Sequence, residues 1–228
     1  MHRITDRNFF AQDAVALSRA LLGKLIVHDV NGQRLVLRIT ETEAYMGVAD
    51  QASHSKGGRL SHRNRIMFGA PGFVYVFMIY GLYYCFNITC NEPGQHEAVL
   101  IRAGEPVVGT QVMLCNRGLD QPSKSQAAKL RSIADGPGKV AMALGLTMDQ
   151  YGQDLTDPSP SSRLFIAQDE FAVDDADVVV DGRIGIDYAG QDRDRPWRFY
   201  LKDHVVSVSK AKRLKQQQKK ITRNAVES

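Results

Sequence analysis

The longest uncharged run of the chain limits its fold more than any other feature. Residues 66–91 contain no Asp, Glu, Lys or Arg, and a helix of this length could span a bilayer. The run is, however, rich in aromatic and β-branched side chains, which favour strands, and Asn87 would be costly in lipid. Pro71, Gly72 and Gly81 also interrupt it. These features favour buried strands over a membrane span.

Alternation along residues 73–80 divides the side chains between two faces. One face holds Phe73, Tyr75, Phe77 and Ile79, and the other holds Val74, Val76, Met78 and Tyr80. Gly81 follows directly and suits a turn. The run therefore predicts two strands joined at Gly81, with Tyr80 beside the turn, where its ring can project outward.

The overall composition is that of a globular protein. Of the 228 residues, 43% are hydrophobic and 24% are charged, which provides enough apolar surface for a proper core. The formal charge of +4 permits a nucleic-acid or other anionic partner without requiring one. Nothing in the sequence demands a partner protein, and we expect a monomer.

The cysteines and histidines indicate neither disulfides nor a metal site. Cys85, Cys90 and Cys115 are odd in number and include no Cys-x-x-Cys pair, while the charged N-terminus lacks the apolar core of a signal peptide. We therefore expect reduced thiols in a cytosolic protein. The six histidines lack metal-ligand spacing, and we expect no metal and no cofactor.

Local signals predict an α+β fold with a curved, mainly antiparallel sheet flanked by helices. Helices are predicted at 13–22 (closed by Gly23), from Pro106 to about Arg117, at 124–133 and at 138–144. Hairpins are predicted at Asn31-Gly32 and at Asp181-Gly182, the second joining strands 177–180 and 183–186. Further strands are predicted at 98–104, 198–201 and 205–209, and a loop at 46–71. We expect one domain over residues 1–209, followed by a basic tail over 210–228 that is either solvated or in contact with phosphates.

Two glutamates follow a strand that is expected to be buried. Leu35, Leu37 and Ile39 share one face, and the same phase continues through Glu41, Glu43 and Tyr45. A carboxylate at a buried position must be ion-paired or have a shifted pKa, as a catalytic base has. The alternative is that the strand ends at Thr40 and both glutamates are solvated.

Basic residues provide two further candidates. Arg102 lies inside the predicted strand 98–104, where a buried arginine needs an acid, and Glu41 and Glu43 are the natural partners. The loop around His54 carries Arg59, Arg63 and Arg65. A basic loop beside tyrosine-rich strands suits single-stranded or distorted nucleic acid, although an ordinary solvated loop would look the same.

Taken together, the motifs resemble the alkyladenine (3-methyladenine) DNA glycosylase family of mammalian type. The resemblance rests on "ETEAYMG", "SHSKGGR", "RNRIMFGAPGFVYVFMIYGLYYCFN", "LIRAGEP", "GPGK", "GRIGIDYAG" and "RFYL", which occur in the family's order from about Phe9 to Ser209. The resemblance implies an enzyme that extrudes a damaged purine from double-stranded DNA and hydrolyses its N-glycosidic bond. Implied substrates are 3-methyladenine and 7-methylguanine, extending to hypoxanthine and ethenoadenine. The implied location is cytoplasmic and nucleoid-associated for a protein of bacterial type, or nuclear if the protein is eukaryotic.

The resemblance also implies a role for each motif residue. Glu43 would be the general base and Arg102 would help to place the water. Tyr45, His54, Phe77 and Asn87 would form the base pocket, and Tyr80 would intercalate into the DNA stack. Arg59, Arg63, Arg65 and Lys139 would contact the DNA backbone. No lysine falls within the pocket motifs, so a strand-cleaving lyase activity is not expected.

Three departures from the mammalian pattern bear on the lesion range. Phe77 lacks a tyrosine hydroxyl, the link at 91–97 is longer, and Asp187-Tyr188 replaces a Gly-His pair. Two alternatives stay open at this point. One is a non-catalytic protein that binds damaged DNA, and the other is a hydrolase of free nucleosides, which would not need Tyr80.

Overall fold

A computed structural model describes residues 1–121 and 125–202, and the predicted strand at 205–209 and the basic tail lie outside them. The helices are α1 Ala14–Leu21, α2 Thr110–Asn116, α3 Gln126–Arg131 and α4 Pro137–Leu144. The strands are β1 His2–Arg3, β2 Leu25–Val30, β3 Gln33–Tyr45, β4 Val74–Ile79, β5 Tyr83–Cys90, β6 Glu97–Val108, β7 Leu164–Gln168, β8 Val178–Asp181 and β9 Arg198–Leu201. Short 3-10 turns lie at Arg7–Phe9, Gly47–Ala49, Lys56–Gly58, Arg65–Phe68, Met148–Gln150, Asp175–Asp177 and Asp187–Asp192.

The strands form one open sheet in which neighbours are antiparallel, so the predicted α+β fold is confirmed. Its order is β1-β7-β2-β3-β6-β5-β4, and β9 pairs with both β3 and β8. The thirteen-residue β3 is the centre of this arrangement. Its first half pairs with β2 and its second half with β9, while β6 runs along its other edge. The second half of β3 is therefore enclosed by strands on both sides.

The uncharged run forms two paired strands, as its alternation predicts. β4 and β5 pair from Val74↔Ile88 to Ile79↔Tyr83, and Val74 and Val76 lie in the main core. The turn between them has Tyr80 and Gly81 at φ 53° and 67°, the left-handed pair of a type I′ turn. The Asn31-Gly32 hairpin also has two left-handed residues, with φ of 51° and 72°, in a two-residue loop between Val30 and Gln33. In the described part of the chain, no helix is long and apolar enough to cross a membrane.

Helix α1 and the main core lie on one face of the sheet. Asp13 caps α1 by accepting from the Ala16 amide, and Gly23 follows the helix in a left-handed conformation at φ 77°. The buried face of α1, with Ala14, Leu17 and Leu21, packs on Leu35, Leu37 and Ile39 of β3. This packing leaves the opposite face of the sheet free for other groups.

Two predicted elements are wrong. Pro106 lies in β6, opposite Leu37, and the following helix begins only at Thr110, after Gly109 at φ 78°. Proline is tolerated there because a register shift lies beside it. In addition, β5 pairs with β6 no further than Leu100, so it does not need an N–H donor from residue 106. The Asp181-Gly182 hairpin does not form either. β8 pairs with β9, and residues 183–186 form no strand because this segment turns into the site described below.

Two bulges at the same level of β3 and β6 determine which face Glu43 occupies. The pairing runs Ile39↔Gly104, Glu41↔Ala103 and Thr42↔Ile101, so Thr40 and Arg102 are the extra residues. A single extra residue moves every later side chain to the other face. The prediction that Glu43 continues the phase of Ile39 is therefore wrong. Glu43 is buried on the face opposite the main core.

Side chains beyond the bulges confirm this change of face. Ala44 lies in the main core, and the Thr42 hydroxyl donates to the Ser18 carbonyl of α1 at 2.9 Å. Alternate side chains of a strand point to opposite faces, so Glu43 and Tyr45 point away from α1. On β6, Ile101 likewise lies in the main core. The paired bulges thus bring a carboxylate and an arginine to a second, polar centre within one sheet.

Candidate active site

Glu43 lies at the bottom of the polar centre and is fully buried. Its Oε1 accepts from the Ile184 amide at 2.8 Å and lies 3.4 Å from Arg102 Nη1. Its Oε2 accepts from the Tyr45 hydroxyl at 3.0 Å. A carboxylate oxygen can accept two hydrogen bonds, so Oε2 can also accept from a water molecule. The group is thus held firmly while it keeps the capacity to act as a base.

Glu43 belongs to a set of two buried glutamates and two buried arginines whose formal charges cancel, and Arg198 of this set also pairs with the part-exposed Asp181 at 2.6 Å. Glu41 Oε1 accepts from Arg102 Nε at 3.2 Å and from Arg198 Nη1 at 3.0 Å. All four side chains of the two glutamates and two arginines are less than a tenth exposed. The predicted pairing of Arg102 with both glutamates is therefore confirmed, and the alternative of solvated glutamates is wrong. Because Glu41 accepts from two guanidinium groups, it serves as their counter-ion.

Tyr45 forms one wall beside Glu43 and is supported from behind by Arg183. The Arg183 guanidinium lies 4.8 Å from the ring centroids of both Tyr45 and Trp197. It is paired with the fully buried Asp50 at 2.5 Å and 2.9 Å. Burial and the nearby Glu43 carboxylate raise the pKa of the Tyr45 hydroxyl well above its usual value. The hydroxyl therefore stays protonated and donates to Glu43.

His54, Tyr75 and Phe77 form a second wall. His54 packs edge-on against Phe77 with centroids 4.5 Å apart, and its Nδ1 lies 2.6 Å from the Tyr75 hydroxyl. Its Nε2 lies 3.1 Å from Arg63 Nη2. Arg63 can only donate, so Nε2 accepts, Nδ1 carries the proton and His54 is neutral. Burial, with a contribution from Arg63, accordingly lowers the pKa of His54 from 6.5 to about 4.

Both walls border one cavity of about 810 Å³, which is large enough for a purine nucleotide. The predicted pocket residues Tyr45, His54, Phe77 and Asn87 all line it, as do Arg102 and Tyr80. Asn87 is buried, and its amide donates to the carbonyls of Tyr75 and Cys85. The further lining residues are Ala52, Ser53, Arg63, Met67, Tyr75, Met78, Ile79, Tyr83, Cys85, Ala98, Leu100, Arg117, Gly136, Pro137, Gly138, Lys139, Ile184, Gly185, Ile186 and Tyr188.

The β4–β5 turn lies at the mouth of the cavity and presents large apolar side chains to solvent. Tyr80 is 88% exposed, Leu82 is 74% exposed, and Met78 and Tyr83 are also exposed. Tyr80 keeps a left-handed backbone conformation, which is unfavourable for a bulky residue. An exposed ring held in this way at a cavity mouth is typical of a functional position rather than a packing one.

The comparison with known proteins identifies the family. The sequence profile described as "Methylpurine-DNA glycosylase (MPG)" matches residues 8–205. The chain belongs to the methylpurine-DNA glycosylase family. Membership places it among DNA glycosylases, which act on DNA and repair alkylation damage.

Bacterial relatives support the same assignment to the methylpurine-DNA glycosylases. A Desulfitobacterium hafniense (strain Y51) protein with the printed name "Putative 3-methyladenine DNA glycosylase" is 42% identical over 89% of this chain and 97% of its own length. A Clostridium botulinum (strain Langeland) protein of the same name is 41% identical over 89% and 98%. A third, from Alkaliphilus oremlandii (strain OhILAs), is 40% identical over 87% and 96%. The similarity therefore covers nearly the whole of each chain.

The predicted DNA-backbone residues of this glycosylase do not form one group. Arg59, Arg63 and Arg65 are all exposed on the loop, and Arg63 in addition lines the cavity against His54 and Phe77. Lys139 lies in the first turn of α4, also lines the cavity, and is paired with Asp135. A lysine from outside the predicted pocket motifs therefore also reaches the cavity. Among the described residues, no cluster of His, Cys, Asp or Glu is arranged to hold a metal ion.

Sequence reasoning missed several residues of the site. Arg183 and Asp50 form a fully buried pair that links loop 46–71 to the segment after β8. No local signal marks this contact, since the two residues are 133 positions apart. Arg198 could have been found by the rule that identified Arg102, because it also lies in a buried strand. Tyr75 could have been found from its place on the same strand face as Phe77.

Proposed function

We propose that the protein is a monofunctional DNA glycosylase that extrudes a damaged purine nucleotide from the duplex and hydrolyses its N-glycosidic bond. Glu43 activates the water, and the products are a free base and an abasic site in an unbroken strand. The observation that carries this proposal is the buried Glu43 carboxylate, fixed by the Ile184 amide, Tyr45 and Arg102 beside a cavity of nucleotide size. Candidate lesions are 3-methyladenine and 7-methylguanine, with hypoxanthine and ethenoadenine as neutral candidates.

The charge arrangement suits this chemistry. Glycosidic cleavage passes through a transition state with positive charge on the sugar, which a nearby carboxylate stabilises while it removes a proton from water. The balanced set of Glu41, Glu43, Arg102 and Arg198 keeps Glu43 in place without leaving a net buried charge. The exposed Tyr80 ring then fills the gap that the extruded nucleotide leaves in the stack.

Two experimental readouts, strand cleavage and borohydride trapping, distinguish hydrolysis from a lyase mechanism. A lyase forms a Schiff base through an unprotonated amine. The lysine of the cavity lining is Lys139, and its Nζ is engaged in an ion pair with the Asp135 carboxylate. We expect the strand to remain intact until the abasic site is cleaved by alkali, and we expect no covalent complex with borohydride. Either strand cleavage without alkali or a trapped complex would exclude the monofunctional reaction.

The test of the hydrolysis is base release by Glu43→Gln. Duplexes of one sequence carry 1,N6-ethenoadenine, 7-methylguanine or hypoxanthine, and excision is followed with protein in excess. We expect Glu43→Gln to lower the rate by about 10²- to 10⁴-fold while lesion binding is kept. The matched control Glu92→Gln alters an exposed glutamate outside the cavity lining and should excise like wild type.

The outcomes separate the proposal from its alternatives. Equal excision by Glu43→Gln and wild type would show that Glu43 is not the base. Binding that falls steeply with salt, without any base release by wild type, would indicate a non-catalytic damaged-DNA-binding protein. Cleavage of free nucleosides that is unaffected by Tyr80→Ala would indicate a nucleoside hydrolase.

A further inference from the structure

The cavity has an unusual balance of charge along its lining. Four basic side chains line it, from Arg63, Arg102, Arg117 and Lys139, and the lining includes no acidic residue. Glu43 itself is fully buried behind the lining. A base that enters the cavity therefore meets positive side chains and aromatic rings, and no carboxylate directly.

Three of these cations are engaged elsewhere. Arg102 is balanced by Glu41 and Glu43, and Lys139 is balanced by Asp135. Arg117 donates through Nε to the Ile133 carbonyl at 2.8 Å and lies 3.5 Å from the Met142 sulfur. None of these three cations lies over an aromatic ring of the walls.

Arg63 differs because it lies directly against a wall. Its guanidinium is 4.7 Å from the centroid of the Phe77 ring and donates to His54 Nε2 at 3.1 Å. It has no carboxylate partner among the described residues, whereas Arg183 behind the opposite wall is neutralised by Asp50. Arg63 is therefore the uncompensated charge at the aromatic walls. A ring that already carries a cation offers less attraction to a second one.

We propose that Arg63 is a specificity-determining residue that favours excision of neutral purines over cationic ones, a role that rests on the function proposed above. A base alkylated at N7 enters the cavity as a cation, and the Arg63 guanidinium repels it. A neutral base such as hypoxanthine is not repelled. Arg63 thus acts on the base, and not only on the DNA backbone as the sequence indicates.

The bond-breaking step strengthens this difference. The C1′–N9 bond breaks with its electron pair going to the purine, while the oxygen of water bonds to C1′ and its proton passes to Glu43. A cationic 7-methylguanine leaves as a neutral base. Hypoxanthine leaves with a developing negative charge, which a nearby guanidinium stabilises before the base takes a proton from solvent water. Arg63 therefore supports the departure of neutral bases in a site where no carboxylic acid lines the cavity.

The experiment compares two lesions across four proteins. Wild type, Arg63→Gln, Arg63→Lys and Arg59→Gln are assayed under single-turnover conditions on duplexes that carry hypoxanthine or 7-methylguanine in the same sequence. Arg63→Gln removes the charge but keeps an N–H donor for His54, and Arg63→Lys keeps both. Arg59→Gln removes a charge from the same loop at a residue that does not line the cavity. Spontaneous loss of 7-methylguanine is subtracted from an enzyme-free sample.

We expect Arg63→Gln to raise the ratio of 7-methylguanine to hypoxanthine excision by about tenfold, mainly through slower hypoxanthine release. Arg63→Lys should keep the wild-type ratio, and Arg59→Gln should lower both rates by the same factor. An equal fall of both rates in Arg63→Gln would overturn the inference and leave Arg63 as a backbone contact. Failure of wild type to release either base would instead contradict the proposed function.

Discussion

The two ends of the cavity are built from the same kinds of residues in opposite ways. At the bottom, Glu41, Glu43, Arg102 and Arg198 are buried and neutralise one another. At the mouth, Tyr80 and Leu82 are exposed, and Arg63 has no carboxylate partner among the described residues. Charges that must keep a fixed geometry are paired internally, while charges and rings at the mouth are left available for a ligand. The difference implies that substitutions at the bottom affect folding and chemistry together, whereas those at the mouth affect binding.

The largest expected effect is that of Arg102→Met. This change leaves Glu41 with Arg198 and removes the guanidinium that contacts Glu43, and removing one partner of a buried pair costs about 3–5 kcal/mol. The free energy of unfolding, measured by urea denaturation, should fall by that amount. The matched control Arg34→Met breaks an exposed pair with Asp29 and should cost far less. Equal losses in the two variants would contradict a stabilising role for the buried ion pairs at the bottom.

A change at the mouth should lower activity without lowering stability. Tyr80→Asn removes the ring but keeps a residue that tolerates the left-handed conformation of this turn. We expect excision from duplex DNA to fall about tenfold or more, because the gap in the stack is no longer filled, while the urea midpoint stays the same or rises. Tyr80→Phe keeps the ring and should keep the activity. A Tyr80→Asn variant as active as wild type would exclude Tyr80 as the intercalating residue.

Local sequence signals predict most of the fold but not the face on which Glu43 lies. The uncharged run, the Asn31-Gly32 turn and the capped helix α1 each depend on neighbours in sequence, and all three are confirmed. The bulges at Thr40 and Arg102 depend on how β3 pairs with β6, which alternation along one strand cannot reveal. Glu43 was therefore correctly expected to be buried, but for a reason that the register overturns.

The same distinction applies to the candidate site. Arg102 could be paired with the glutamates because a buried arginine requires an acid wherever it lies. The Asp50–Arg183 pair and the position of Arg63 depend on where the loop at 46–71 packs, and this loop has no periodic pattern to read. The roles assigned by resemblance to individual residues stay predictions that the variants described here test.

A smaller effect concerns pH and separates His54 from the other groups of the mouth. The pKa of His54 in the folded protein, about 4, is below the ordinary 6.5, so between these values the unfolded chain binds a proton that the folded protein excludes. Stability should therefore fall as the pH drops from 7 to 5. We expect this fall to be larger for wild type than for His54→Gln in urea unfolding at both pH values. His62→Gln, at a position of the same loop outside the cavity lining, should behave like wild type, and an equal fall in wild type and His54→Gln would contradict a neutral His54.

The smallest expected effect is that of the basic tail, residues 210–228. Its segment 210–224 holds seven Lys and Arg residues and no acid, so it could add phosphate contacts to those of the cavity mouth. Each phosphate neutralised contributes about 0.9 to the slope of log affinity against log salt concentration. If the tail binds DNA, deleting it should lower that slope by about one or more while single-turnover excision of bound duplex stays unchanged, because the groups around Glu43 are untouched. An unchanged slope would indicate that the tail makes no phosphate contacts. A loss of excision from bound duplex would indicate that residues after β9 take part in catalysis.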